Sequence, residues 1–289
     1  MLLVNRDLSI YYNLQLYQGE GGELGTIQLL FSFSVMLKTM SEVNVKLGLK
    51  SVLSKIQQAC AKREKECCEV NPRLVAVSKT KPVESIIEAY EEGQRHFGEN
   101  YVQELEEKAN NSLILESCKD IKWHFIGHLQ GNKVNKVISI PNLYIVETVD
   151  SKKLANKLNN NWPQFGGVAK KLRVFIQINT SGEKEKNGIL PSEVVDMVKY
   201  VTNDCPNLQL DGIMTIGQYG YNPADGPNPD FLKLLECRKN VCEALSLPLK
   251  DVEISMGMSD DFEQAVEMGS TNVRVGTAIF GYRPKKTSS

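Results

Sequence analysis

The sequence predicts a single closed (β/α)8 (TIM) barrel of the α/β class. Eight strand-like and seven helix-like segments alternate along residues 74–276, joined by short connections. Such strict alternation indicates a parallel sheet. The strand-like runs are short, apolar and rich in β-branched residues, as strands buried on both faces are. Residues 40–289 also match the usual length of such a barrel, roughly 250 residues. A doubly wound open sheet is the alternative that the same alternation permits.

Residues 42–69 read as a helix, because Val45, Leu47, Leu49, Val52, Leu53, Ile56 and Ala59 form a broad apolar stripe. The expected strands are Leu74–Ser78, His96–Gly98, Trp123–Gly127, Leu143–Val149, Leu172–Asn179, Leu208–Ile216, Val252–Met256 and Asn272–Gly276. Helical patterns lie between them near Glu84–Glu92, Val102–Leu115, Lys133–Ile138, Lys152–Trp162, Pro191–Thr202, Asp230–Leu245 and Asp261–Met268. The loop Gly217–Pro229 is the longest irregular connection of the globular part. Residues 1–39 do not share this pattern. Their apolar run, Leu24–Leu37, is interrupted by polar residues and too short to span a bilayer. The segment lacks the basic start of a signal peptide and the arginine-rich, acid-poor character of a transit peptide. Met40-Ser41-Glu42 looks like a natural start of the globular protein. The expected organisation is a poorly ordered extension over 1–39, a barrel over 40–283 and a short basic tail over 284–289.

Lys and Arg together number 34 and Asp and Glu 35, for a net charge of −1, so no global positive field favours nucleic acid or an anionic membrane. The seven cysteines are scattered and odd in number, and no pair of pairs has zinc spacing. They read as thiols in a reducing compartment. The expected location is the cytosol, with mitochondrial association left open.

The chemistry gathers where strands end. Four apolar residues, Leu74–Val77, lead into Ser78 and Lys79, and Pro82 suits the first turn of a following helix. Lys79 thus sits at the ligand-facing edge of a parallel sheet, as a solvated loop residue or a functional amine. His96-Phe-Gly-Glu-Asn100, Trp123-His-Phe-Ile-Gly127-His128, Asn179-Thr-Ser-Gly182 and Met214-Thr-Ile-Gly217 end other strands. Ser255-Met-Gly-Met-Ser259 and Arg274-Val-Gly276-Thr277 follow strands seven and eight, where such barrels often bind phosphate. Backbone N–H groups at a helix start favour an anion there. Ser255 or Ser259 can add a hydroxyl, and Gly257 and Gly276 allow close backbone approach. Ser259 can equally be the N-cap of the helix beginning at Asp261. Closure brings strand one beside strand eight, so an amine would face a phosphate-anchored aldehyde. That arrangement suits pyridoxal 5'-phosphate (PLP) held as a Schiff base. Arg274 could then face the pyridine nitrogen and keep it unprotonated; otherwise it forms a rim salt bridge. His124 and His128 straddle a strand end without a third ligand, which argues against zinc, and His96 reads as packed.

These segments together resemble the YggS/PROSC family of pyridoxal phosphate homeostasis proteins. The matching stretches are LVAVSKTKP, HFGENYVQEL, WHFIGHLQGNKVNKV, ETVDS, VFIQINTSGE, GIMTIG and SMGMSDDFEQAVEMGSTNVRVGTAIFG, spread over about residues 70–283. The resemblance implies a barrel like the N-terminal domain of alanine racemase, with Lys79 forming the internal aldimine and Asn100 lining the site. It places Ser255, Met256, Ser259, Gly276 and Thr277 around the phosphate and Arg274 at the pyridine nitrogen. Racemases of that kind draw a second base from a separate β-domain, for which no room follows Gly281. The implied role is therefore to bind, store and deliver PLP without turnover, as a monomer, with apo PLP-dependent enzymes as acceptors. By loop position alone, Lys81 or Lys133 could be the releasing amine, although a solvated residue is the simpler reading of Lys81. An amino-acid racemase-like enzyme and a PLP-sensing interaction regulator are the alternatives.

Overall fold

The computed structural model describes residues 44–63, 70–166 and 170–282. The chain divides into residues 1–42 and residues 43–289. The first unit, with the extension expected over 1–39, lies outside the described residues, as does the expected tail 284–289.

The second unit is a closed parallel barrel with strands in sequential order. They are β1 (Arg73–Val77), β2 (His96–Glu99), β3 (Lys122–Phe125), β4 (Leu143–Val149), β5 (Leu172–Gln177), β6 (Leu208–Met214), β7 (Glu253–Ser255) and β8 (Asn272–Val275). Closure is direct: Arg73 pairs with Asn272 and Ala76 with Val275, which rules out the open-sheet alternative. The helices are α1 (Val45–Cys60), α2 (Val83–Glu91), α3 (Val102–Ala109), α4 (Ser112–Ser117), α5 (Val134–Ile138), α6 (Lys152–Asn161), α7 (Val194–Asp204), α8 (Pro229–Leu245), α9 (Phe262–Glu267) and α10 (Thr277–Phe280).

The eight expected strands are all present; β2 runs past its expected end to Glu99, β4 keeps its expected bounds, and the others end earlier, where the chain turns toward loops. The helix expected over Val102–Leu115 is two helices, α3 and α4. Asn111 causes the break, because its side chain accepts from the Leu113 N–H and starts a new helix. Pro82 lies one step earlier than expected, as the residue preceding α2. After β8 the described residues form only the four-residue α10, and α1 completes the outer ring beside α9 and α10. Leu49, Val52 and Ile56 are the buried face of α1. Lys55 of α1 and Lys62 just beyond it pair with α9, with Glu263 at 2.8 Å and Glu267 at 2.6 Å. Pairs so exposed contribute little, so burial supplies most of the docking energy.

The main core lies between the strands and the helix ring, and includes Leu74, Phe97, Trp123, Val174 and Ile213. The barrel interior is mixed. Ile145, Phe175 and Met214 form its apolar cluster. The rest carries a buried polar column, where branched apolar side chains are usual. His96 and His124 approach at 2.8 Å, and His124 Nδ1 meets Glu147 Oε1 at 2.6 Å. An ionised carboxylate only accepts, so His124 donates from Nδ1 and must accept from His96 at Nε2. Ser255 Oγ and Asn272 Nδ2 also donate to Glu147, at 2.8 and 3.2 Å. Burial opposes the Glu147 charge, but the His124 hydrogen bond, the Arg274 charge and the Ser255 hydroxyl hold the carboxyl below its ordinary range.

Both rings are held neutral. Burial, with His124 adding, pushes His96 down to about 2, and burial also lowers His124. Unfolding returns each ring to the ordinary histidine value of 6.5. Below that pH the unfolded chain binds protons that the folded chain refuses, so this contribution is intact above pH 6.5 and is lost as pH falls. Buried Glu99 and Asp211 and half-buried Asp261, whose pKa values are raised, act with the opposite sign. Comparison with His96→Phe cancels them. In urea unfolding at pH 7.5 and pH 5.5, wild type should lose about 1 kcal/mol more than His96→Phe, allowing for partial exposure of the ring. Equal losses would contradict a neutral His96.

Candidate functional site

Strand alternation decides which side chains meet. On β1 Val75 and Val77 face the barrel axis and Leu74 and Ala76 the helices, so Lys79 follows Val77 inward and Ser78 turns outward. On β2 the same parity sends His96 and Asn100 inward and Phe97 and Glu99 outward. Lys79 and Asn100 therefore share one cavity, of about 410 Å³, at the C-terminal end of the barrel. Its apolar wall is Val77, Ile126, Ile216 and Met258. Ser259, Gly276 and Thr277, which follow the ends of β7 and β8, also line the cavity, with the cations Lys79, Lys186 and Arg274 and the carboxylate of Asp260.

Arg274 is buried, not a rim salt bridge. One terminal nitrogen donates to Ser255 Oγ and the other to the Thr215 carbonyl at 2.7 Å. Burial lowers its pKa against the pull of Glu147 and Asp261. A guanidinium still keeps its proton in a protein, so the cavity wall carries a fixed cation. Ser255 connects it to the column: it accepts from Arg274 and Asn272 and donates to Glu147.

The loops after β7 and β8 are joined by Ser259, whose Oγ accepts from the Gly276 N–H at 3.2 Å. Ser259 is thus not a helix cap; Asp261 precedes α9 and its carboxylate accepts from the Met258 N–H at 2.6 Å. Gly257 turns this loop at φ +97°, and a Cβ there would stand 2.5 Å from that of Ala265. At Thr277 the chain begins α10, whose leading N–H groups have no intrahelical acceptor.

Asn100 Oδ1 is buried and has no hydrogen-bond partner among the described residues. An acceptor left so is costly unless a ligand supplies a donor. Its backbone is set by β3: a Cβ on Gly127 would lie 1.9 Å from the Asn100 carbonyl oxygen, so only glycine fits.

Of the residues expected at the site, Lys79, Asn100, Ser259, Arg274, Gly276 and Thr277 line the cavity. Ser255 lies behind it, in contact with Arg274. The Met256 side chain belongs to the main core, so the expectation of a cavity role fails for that side chain: alternation along β7 turns it outward. Neither Lys81 nor Lys133 lines the cavity. Lys81 Nζ caps the end of α10, donating to the carbonyls of Phe280 at 2.6 Å and Gly281 at 2.9 Å. The second amine facing the cavity is Lys186, which pairs with Glu183 and donates to the Gly217 carbonyl. Its charged loop carries no sequence signal that separates it from a solvated surface. Tyr219 and Tyr282, at the mouth, were equally silent.

The family described as "Alanine racemase, N-terminal domain" matches residues 53–284. A mouse (Mus musculus) protein named pyridoxal phosphate homeostasis protein is 54% identical over 243 residues, covering 84% of this chain and 88% of its own length. The chain belongs to the pyridoxal phosphate homeostasis protein family. A member from Haemophilus influenzae is 40% identical, covering 85% of this chain and 99% of its own. PipY of Synechococcus elongatus, solved with PLP bound, superposes with a TM-score of 0.66 at 30% identity, over 82% of this chain and 100% of its own. Alanine racemase of Clostridium difficile shares the fold at 17% identity and TM-score 0.59, over 85% of this chain and 59% of its own.

The cavity fits the group that such relatives carry in their names. PLP has an aldehyde, a phosphate dianion and a flat ring. The residues offer an amine, a two-loop cradle, apolar walls and a fixed cation, plus an orphaned acceptor at Asn100.

Gly127→Ala must displace Asn100 or β3. Urea unfolding should show a loss of about 1–3 kcal/mol, the usual cost of overpacking, and titration should show weaker PLP binding. Wild-type stability and affinity would mean that this contact does not position Asn100.

Proposed function

We propose that this protein binds PLP through Lys79 and serves PLP homeostasis by holding the cofactor and delivering it to apo PLP-dependent enzymes. The observation that carries this reading is one cavity into which Lys79 and the Ser259–Gly276 cradle both face, with Arg274 buried between the β7 and β8 strand ends. When bound, PLP supplies an electrophilic aldehyde that an amine can capture reversibly. Lys79 Nζ, unprotonated, would be the amine that holds it, and water or an incoming amine would release it and return Lys79 to its amine form. Ser259, Gly276, Thr277 and the α10 N–H groups would hold the phosphate through hydrogen bonds and the helix start. Arg274 would meet the pyridine nitrogen with a donor that cannot give up its proton, which leaves that nitrogen without one. This weakens the electron withdrawal on which substrate turnover depends and suits a carrier. Lys186 and the mouth tyrosines would be passed on exit.

An amino-acid racemase-like role needs a second base fixed opposite Lys79. The two cavity tyrosines, Tyr219 and Tyr282, are 79% and 87% exposed, which leaves neither held in place by packing.

The test is the near-ultraviolet and visible spectrum of wild type and Lys79→Ala with added PLP. Wild type should develop a long-wavelength band that excess apo-acceptor discharges; the variant should not. Equal bands in the two proteins would remove Lys79 from the account, and steady racemisation of any amino acid by wild type would favour the enzyme reading.

A further inference from the structure

Behind Lys79, on the outer face of the barrel wall, lies a buried ionic cluster that the cavity does not use. Lys108 of α3 is 6% exposed, and its ammonium donates at 2.7 Å to each of three acceptors: the Ser78 carbonyl, Glu99 Oε1 and Glu104 Oε1. Ser78 Oγ donates to the same Glu99 oxygen at 2.7 Å. Glu104 Oε1 also accepts from the Thr80 N–H at 2.5 Å. All of these bonds but Lys108–Glu104 end on a group within one residue of Lys79 or Asn100, two of the side chains that face the cavity.

The backbone there is strained. The Lys81 N–H donates to the Ser78 carbonyl at 3.0 Å, which makes residues 78–81 a turn with Lys79 and Thr80 at its centre. Thr80 holds φ at +64°, a left-handed conformation that a β-branched residue rarely adopts. Strain of this kind persists only where its surroundings impose it, and it gathers at functional sites. The cluster grips this turn at two points, the Ser78 carbonyl at its start and the Thr80 N–H within it. It is also costly: Glu99 is fully buried, and its Oε2 has no hydrogen-bond partner among the described residues. Burial raises the Glu99 pKa against the pull of Lys108. A buried ion pair is weak as a stabiliser compared with apolar packing of the same volume, so stability alone is a poor reason for it.

We propose that Lys108, Glu104 and Glu99 form a positioning bracket that imposes the strained turn carrying Lys79 and thereby sets the rate at which Lys79 captures and releases PLP. This rests on the proposed PLP reading. The bracket touches neither cavity nor ligand; it acts through the backbone on either side of Lys79, and through Glu99 on the adjoining Asn100. A small rotation of the turn would swing the long Lys79 side chain away from the cradle, and misplacement of about 1 Å already has large effects on reactive geometry.

The experiment compares full-length wild type with Lys108→Met, Glu104→Ala and Glu104→Gln. Gln keeps a carbonyl acceptor for the Thr80 N–H, whereas Ala removes it. In PLP-free protein, amide hydrogen exchange of residues 78–81 should quicken about tenfold or more in Lys108→Met and Glu104→Ala, and stay near wild type in Glu104→Gln. In PLP-loaded protein, release to excess O-methylhydroxylamine should change about fivefold or more in the same two variants and be restored in Glu104→Gln. Unchanged exchange, or faster exchange with wild-type release, would overturn the bracket. Should Lys108→Met fail to fold, the Glu104 pair decides alone, since that side chain is 22% exposed and tolerates truncation better. Wild type that takes up no PLP would sink the PLP reading instead, and the exchange data on PLP-free protein would then still show whether the cluster holds the turn.

Discussion

When β1 pairs with β8, in the register Arg73 to Asn272 through Ala76 to Val275, strand ends some two hundred residues apart become neighbours. Everything at the cavity follows from that seam. Val77 and Lys79 continue β1 beyond the last pair, and Gly276 and Thr277 continue β8 beside them. No loop has to reach across the barrel to bring an amine to an anion cradle. The sheet does so by closing, and parallel pairing sends both strand ends to the same face.

The seam also explains the uncommon barrel interior. A cation fixed in the cavity wall has to be compensated somewhere dry. Arg274 finds Ser255, and behind Ser255 lies Glu147, itself held by His124 and Asn272. The charge facing the cavity is therefore paired below, with a hydroxyl between the two ions. Below the histidines Tyr144 carries three cations over its ring, Arg73, Lys122 and Arg173, while Glu253 and Asp211 pair with the arginines. An apolar interior would pack more cheaply, since a buried ion pair seldom gains over apolar packing. The polar column is what a buried Arg274 requires. The ionic bracket on the outer face solves a second problem, that of holding a turn which its own residues disfavour.

Much of this was legible in the sequence. The strands announced themselves as short β-branched runs, and their alternation with helical patterns fixed the barrel class. Lys79, Asn100, Ser259, Arg274, Gly276 and Thr277 all lie at strand ends, where parity and topology point to the cavity. At Met256 the neighbours Ser255 and Ser259 carry the polar signal, while alternation turns its own side chain into the core. Lys81 reads most simply as a solvated loop residue, and α10 takes it as a helix cap. Glu147 and His124 gave no sign of pairing, because they lie on adjacent strands and meet only inside the closed barrel. Lys186 and Lys108 were hidden for opposite reasons. One sits in a charged loop that happens to face the cavity, the other on a helix face that reads as solvated and is buried.

Two amines, Lys79 and Lys186, open onto the same cavity as Arg274, and only one of them continues a strand. The most direct measurement is peptide mapping by mass spectrometry after borohydride reduction of the PLP-loaded protein. The account predicts the pyridoxyl mass on Lys79, at near-stoichiometric yield. Label found chiefly on Lys186, or spread over surface lysines, would contradict it.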